Sequence, residues 1–459
     1  MGSNGLSARR AVSEVVETAT VAALTHTGEG VVRSGKTVFV AGALPGETVK
    51  FRRTRTHRQH DEAELVEVLT PAPTRVAPRC PHFGVCGGCA LQHLAPEAQV
   101  EARQTELRDN LERLGRVTPR EWLPPLRGPV WGYRRRARLG VKFVTKKGRV
   151  LVGFRERLTP YIADVESCDV LATPVGDLIA PLAELIMALS IRERLPQIEV
   201  AVADNAVALV LRVLDPPSAA DLERLRAFGA SHRLRLYLQP GGLDSVQELG
   251  PSAGEPLRYV LPKFEVELQF QPTDFIQING AVNEALVSRA LELLELTPSD
   301  RVLDLFCGIG NFTLPLARSA GHVVGVEGDA ALVARARQNA RHNHVENAEF
   351  HAADLARLPT GATAAQAGPP WLREAYTHVV LDPPRAGARE VLASVASLEP
   401  RRVLYISCHP GSLARDLGVL VNEHGFTLEA AGVLDMFPHT AHFESLALLQ
   451  PGKRKGRTS

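Results

Sequence analysis

The sequence predicts an α/β domain with a parallel sheet in its C-terminal part, preceded by a small all-β barrel and a strand-rich α+β middle region. Three observations lead there. From about residue 272, apolar strands alternate with amphipathic helices, the pattern of a parallel sheet covered on both faces. Residues 15–69 read as short strands punctuated by Gly and Pro, with no helical period. Between them, "RCPHFGVCGGCALQH" (79–93) places three of the chain's six cysteines within ten residues.

The 459 residues suffice for two or three domains, each with its own core. A hydrophobic content of 45% and a charged content of 23% are those of a soluble globular protein. No apolar run reaches the length of a membrane span, and "MGSNGLSARRAVSEVVE" lacks the apolar core of a signal peptide. The expectation is a cytoplasmic protein with no membrane partner. Six cysteines in so long a chain do not make a disulfide scaffold, so the cluster reads as metal ligands or catalytic groups. The net charge is only +2, but basic residues are concentrated. "VKFRRTRTHRQH" (49–60) carries Lys50, Arg52, Arg53, Arg55 and Arg58, residues 133–157 carry ten basic residues, and the tail ends in "KRKGR". Such runs are often solvated faces; three together point toward an anionic polymer.

Along the chain, "TVAALTHTGEGVVRSG", "KTVFVAGALPGETVKFRR" and "EAELVEVL" supply the barrel strands of residues 15–69. The proline-rich stretch 70–81 leads into the cysteines. Helical periodicity runs from Pro96 to about Arg116, with Val100, Leu107, Leu111 and Leu114 on one face, which can pack on the C-terminal domain. Residues 70–270 form the central region, its strands including "RRRARLGVKFV", "RVLVGFRER", "IEVAVADNAVALVLRVL" and "LRLYLQP", with Cys168 among them. Residues 271–450 hold the α/β domain, opening with the amphipathic helix "AVNEALVSRALELLEL".

Chemistry concentrates at the strand ends of that domain. "LDLFCGIGNFTLPLA" (303–317) is a strand, a glycine turn and a helix start, where the backbone can pass close to a ligand. The next strand ends in "VVGVEGD", setting Glu327 where an acid binds ribose hydroxyls; the bland alternative is a helix-starting residue. The phosphate-cradling GxGxxG is absent, which favours a nucleoside cofactor without phosphates. "VVLDPPRAG" (379–387) puts Asp382 ahead of two prolines in a rigid loop, or in a plain turn. "LYISCHPGSLARDL" (404–417) puts Cys408 at a strand end, as a nucleophile or as packing. The thiol set Cys80, Cys86, Cys89 and Cys168 suits zinc, an iron–sulfur cluster or a redox disulfide.

Taken together, "FxQxN" (Phe275, Gln277, Asn279), "DLFCGIGNF", "LDPPRAG", "SCHP", "DMFPHTAHFES" (435–445), "CPHFGVCGGC" and "GKTVFVAGALPGE" resemble the RNA uracil-5-methyltransferase family over roughly residues 20–450. The resemblance implies a Rossmann-like class I methyltransferase domain behind a TRAM barrel, an RNA-binding fold similar to OB barrels. It implies S-adenosylmethionine as methyl donor and a uridine of 23S rRNA as substrate, handled by a monomer. Cys408 would be the nucleophile and Glu444 the base, with Gln277, Phe306, Asn311, Glu327, Asp354 and Asp382 at the cofactor. A 4Fe–4S cluster on Cys80, Cys86, Cys89 and Cys168 is likewise implied, with no iron position left open. Carbon 5 of uracil becomes nucleophilic only after a thiolate adds at carbon 6, and a base must then remove the carbon-5 proton. Two positions depart from the family's habit: His409 stands where asparagine is usual, and Asp354 where asparagine is frequent. A cytosine-5 enzyme would carry a cysteine where this chain has "DPPR"; a tRNA uracil methyltransferase commonly lacks the barrel and the cysteine cluster. An inactive RNA-binding relative would not need both Cys408 and Glu444.

Overall fold

Five strands close the N-terminal barrel: β1 (Val16–Leu24), β2 (Glu29–Ser34), β3 (Lys36–Ala41), β4 (Thr48–Thr56) and β5 (His60–Thr70), in the order β1-β2-β3-β5-β4. Antiparallel pairing of β1 with β4 closes the ring. Alternation along the strands points Val21, Val32, Val38, Val40, Val49 and Phe51 inward, where they form a small dry core. The computed structural model describes residues 15–250, 254–358 and 368–452; the basic tail lies outside them. It divides into two units: the barrel unit through residue 102 with 156–159 and 438–442, and a second unit holding the rest.

The basic run on β4 does not stand as an open patch. Register with β5 and β1 sets Lys50 against Glu67 (2.8 Å), Arg52 against Glu64, Arg53 against Glu17 and Asp61, and Arg55 against Glu62 (3.6 Å). Arg58, at the hairpin tip, is exposed.

The helix Pro96–Asn110 ends in a π turn, Leu111–Gly115, closed by the Arg116 N–H on the Leu111 carbonyl. Leu107 and Leu111 are fully buried against Leu413, Ala414 and Leu417, but Leu114 is 61% exposed. The wider turn rotates Leu114 off the face that simple helical spacing assigns it.

In the second unit, β6 (Glu121–Trp122) precedes β7 (Arg136–Val144), β8 (Arg149–Gly153), β9 (Gln197–Val202), β10 (Val207–Arg212), β11 (Leu234–Gln239) and β12 (Gln247–Glu248). Six of these form a sheet ordered β12-β11-β10-β9-β7-β8, backed by the helices Ile179–Met187 and Ala219–His232. The hairpin of β13 (Leu257–Leu261) and β14 (Val266–Phe270) follows.

The remaining strands are β15 (Arg301–Leu305), β16 (His322–Glu327), β17 (Ala348–Ala352), β18 (His378–Leu381), β19 (Arg402–Ser407), β20 (Phe426–Leu434) and β21 (Glu444–Pro451). They build an eight-stranded sheet ordered β17-β16-β15-β18-β19-β21-β20-β6. From β17 to β19 the strands are parallel; β21 enters antiparallel between β19 and β20. Both faces are buried: Leu404 and Ile406 point into one core, Val403 and Tyr405 into the other. Hence these strands read as continuous apolar runs.

Candidate active site

The carboxyl ends of β15, β16, β18 and β19 share one rim of the sheet. After β15 the chain turns sharply, with positive φ at Phe306 (66°), Gly308 (55°) and Gly310 (98°). A Cβ built on Gly308 would meet nothing within 4 Å, so the turn borders open ground for a ligand. Glu327, at the end of β16, is aimed by three backbone N–H donors: Gly328 (2.7 Å), Gly308 (3.1 Å) and Asp329 (3.2 Å). Asn311 sits in a reciprocal amide pair with Asn283 (2.9 and 3.0 Å), and the Tyr259 hydroxyl donates to the same oxygen at 2.9 Å. Asn283 and Tyr259 in turn line a cavity of about 320 Å³ together with Gln277, Gly280 and Glu284. Asp354 follows β17 and is more exposed; it caps the turn Leu355–Arg357 by accepting the Ala356 N–H at 3.0 Å.

Four acids gather beneath this rim. Asp304 is fully buried; Thr313 donates to one carboxylate oxygen at 2.5 Å and the other oxygen has no partner. Burial, with Asp382 and Glu327 nearby, pushes Asp304 up to about 7. Burial alone pushes Asp382 up to about 7. Glu444 is 5% exposed, its Oε2 has no partner, and burial with the charge of Asp382 pushes it up to about 8. A buried acid cluster with orphaned oxygens suits a cationic ligand.

Sheet register fixes Cys408 relative to Glu444. Ser407 pairs with Ser445 across the antiparallel seam of β19 and β21, so the next residue on one strand and the preceding residue on the other face the same rim. Burial, then Glu444 and Asp382, push the Cys408 thiol up to about 11; Arg385 opposes them. His409 caps the helix Pro410–Asn422, its Nδ1 accepting the Ser412 N–H at 3.1 Å. An asparagine oxygen would accept the same bond, which accounts for the departure at this position. Sequence reasoning did not single out Asp304, Asn283, Tyr259 or Arg385; a polar residue inside the apolar strand "RVLDLF" was the available signal for Asp304.

All six cysteines are thiols, and Cys80, Cys86, Cys89 and Cys168 are half-buried. Cys80 to Cys89 lie on a succession of turns, where the Gly88 N–H donates to Cys86 Sγ at 3.4 Å. Cys168 stands in the second unit, its N–H bonded to the Gly176 carbonyl at 3.0 Å. Thiolates are by type ligands for zinc or an iron–sulfur cluster; the group of side chains at metal-holding distance among the described residues is His57, His60 and Glu62.

Comparison with known proteins decides the family. A family model described as tRNA (Uracil-5-)-methyltransferase matches residues 261–452. A Xanthomonas campestris protein named 23S rRNA (uracil(1939)-C(5))-methyltransferase RlmD is 52% identical over 431 residues, 93% of this chain and 95% of that protein. A Nitrosococcus oceani protein of the same name is 52% identical over 449 residues, 97% of this chain and 98% of its own. The chain belongs to the RlmD family. The crystal structure of Pyrococcus abyssi tRNA (uracil-54, C5)-methyltransferase in complex with S-adenosyl-L-homocysteine superposes with a TM-score of 0.72, at 23% identity, covering 94% of this chain and 99% of that one. That match shows the fold of the RlmD-family chain to be that of a class I methyltransferase, as the motifs led one to expect.

Proposed function

We propose that this chain transfers a methyl group from S-adenosylmethionine to carbon 5 of uridine 1939 in 23S rRNA, the nucleotide in its relatives' name. The observation that carries the reading is the pairing of half-buried Cys408 with buried Glu444 at the β19–β21 seam of an RlmD-family chain.

Cys408, as thiolate, adds to carbon 6 of the uracil and makes carbon 5 nucleophilic. When bound, S-adenosylmethionine supplies the electrophilic methyl group. Glu444 then takes the carbon-5 proton, and the C6–S bond breaks to release Cys408. Its raised proton affinity makes Glu444 a stronger base than an exposed carboxylate once it has ionised. Glu327 would hold the ribose hydroxyls and Asp354 the adenine edge, with Gln277, Phe306, Asn311 and Asp382 completing the cofactor site. The uridine must leave its stack to reach the half-buried Cys408 thiol, so the barrel is assigned a TRAM role in gripping single-stranded RNA.

Cys80, Cys86, Cys89 and Cys168 are assigned as the ligands of a 4Fe–4S cluster. Protein purified without oxygen should then be brown with about four irons per chain, and Cys168→Ser should lose them. Stoichiometric zinc in place of iron would refute this assignment. The main test is incubation with methyl-labelled S-adenosylmethionine and 23S rRNA from a strain lacking the modification. Label should map to carbon 5 of uridine 1939. Label elsewhere would overturn the substrate, and none at all would overturn the activity.

A further inference from the structure

The helix behind Cys408 carries a carboxylate that packing does not require. Asp416 is fully buried on the helix Pro410–Asn422. Burying a carboxylate is costly unless every oxygen finds a donor. Its donors are the Tyr405 hydroxyl (2.6 Å), the Ala388 N–H (2.8 Å) and Arg415 Nε (2.7 Å). Arg415 also donates to the Ala386 carbonyl at 2.8 Å, and the Ala388 N–H is shared with the Tyr405 hydroxyl at 3.0 Å. These bonds converge on the far end of the loop that begins at Asp382 and contains Arg385. The near end is tied more loosely, by the Asp382 N–H to the Leu305 carbonyl at 3.4 Å. Between the ends, Pro383 and Pro384 stiffen the loop and the Gly387 N–H closes a turn on the Pro384 carbonyl at 2.8 Å. The clamp is tight: a Cβ on Gly387, already at φ 87°, would lie 2.4 Å from Asp416 Oδ2 and 2.5 Å from an Arg415 nitrogen.

We propose that Asp416, with Tyr405 and Arg415, is a positioning residue that clamps the far end of the Asp382–Ala388 loop and so holds Arg385 beside Cys408. The inference rests on Cys408 being the nucleophile. Arg385 is the cation that favours the Cys408 thiolate, against burial and two neighbouring acids. Arg385 stands toward the clamped end of the loop, whereas Asp382 stays at the end of β18 on the Leu305 carbonyl, so a released clamp moves Arg385 away and leaves the sulfur to the acids.

The test compares Asp416→Asn, which loses the charge, with Gly387→Ala, which pushes the loop from the other side and leaves the helix charge intact. Alkylation of Cys408 by iodoacetamide, read by peptide mass spectrometry across pH, reports the thiol directly. In both variants the midpoint should rise by about one pH unit. The turnover number should drop about tenfold, with KM for S-adenosylmethionine within about threefold of wild type. Tyr405→Phe keeps the Asp416–Ala388 bond and should move the same way by less. Folded Asp416→Asn and Gly387→Ala proteins with an unmoved alkylation midpoint would overturn the clamp, even if their melting temperatures fall. Cys408→Ala run alongside separates the two claims. Methylation surviving in Cys408→Ala sinks the nucleophile, whereas an unmoved midpoint with Cys408→Ala inactive sinks only the clamp.

Discussion

Burial pushes the Cys408 thiol up to about 11 and the Glu444 carboxyl up to about 8, so each has to lose its proton before it takes its proposed part. Separate removal of the two should therefore stop the reaction at different points. Cys408→Ala can form no adduct and should transfer no methyl. Glu444→Gln keeps the nucleophile but cannot accept the carbon-5 proton, so it should methylate once and stall, joined to RNA through Cys408. A denaturing gel with labelled methyl groups should show a shifted band for Glu444→Gln alone; normal turnover by that variant would mean another base. The same residue carries a stability signature. Its folded proton affinity is raised above the ordinary carboxylate value of 4.5, so its favourable contribution is complete below about pH 4.5 and is lost as pH rises through about 8. Glutamine has no charge to bury. Glu444→Gln should match wild type near pH 4.5 and melt several degrees higher at pH 9, the gap opening between those values in a thermal-shift titration. A gap independent of pH would mean that Glu444 is not buried as a titrating acid.

At the scale of elements, the helix that follows Cys408 depends on an unusual cap. His409 can accept the Ser412 N–H only through an unprotonated Nδ1. His409→Asn should keep the cap and melt within about 1 °C of wild type, while His409→Ala should lose about 1 kcal/mol, measured by denaturant unfolding. Equal stability of Asn and Ala variants would show the cap to be idle. The parallel strands were readable from the sequence because burial on both faces writes them as unbroken runs such as "RVLYIS". The placement of Cys408 and Asp382 at strand ends on one rim was readable because each directly follows an apolar run. What supports them was not. Asn311 takes its partners from Asn283 and Tyr259, which are distant in sequence and brought near by packing. Leu114 missed its expected face because the local pattern carries no sign of a π turn. The run from Lys50 to Arg58 looked like an open basic patch, because its neutralisation depends on strand register interrupted by bulges.

Over the whole molecule, that pairing redistributes the cations left for RNA. Lys142 and Lys146 on the second unit are exposed, and among the described residues no acid pairs with them. Replacing both with alanine should reduce the slope of log affinity against log salt by about 1 to 1.5, the loss of two phosphate contacts with single-stranded RNA. Lys50→Ala with Arg52→Ala should leave that slope nearly unchanged, since Glu67 and Glu64 already hold those charges. Fluorescence anisotropy over a salt series distinguishes the two, and the opposite ranking would restore the barrel strand as the main phosphate grip. The β19–β21 seam bears on the same encounter. In a purely parallel sheet every strand ends on the reactive rim and none begins there; a single reversed strand lets Glu444 enter the sheet where Cys408 leaves it. In the roles proposed for them, attacking atom and proton acceptor are thus spaced by a ladder of backbone hydrogen bonds. An enzyme so built has its machinery assembled before it meets a ribosomal transcript, and the rearrangement needed for a productive encounter falls to the nucleic acid.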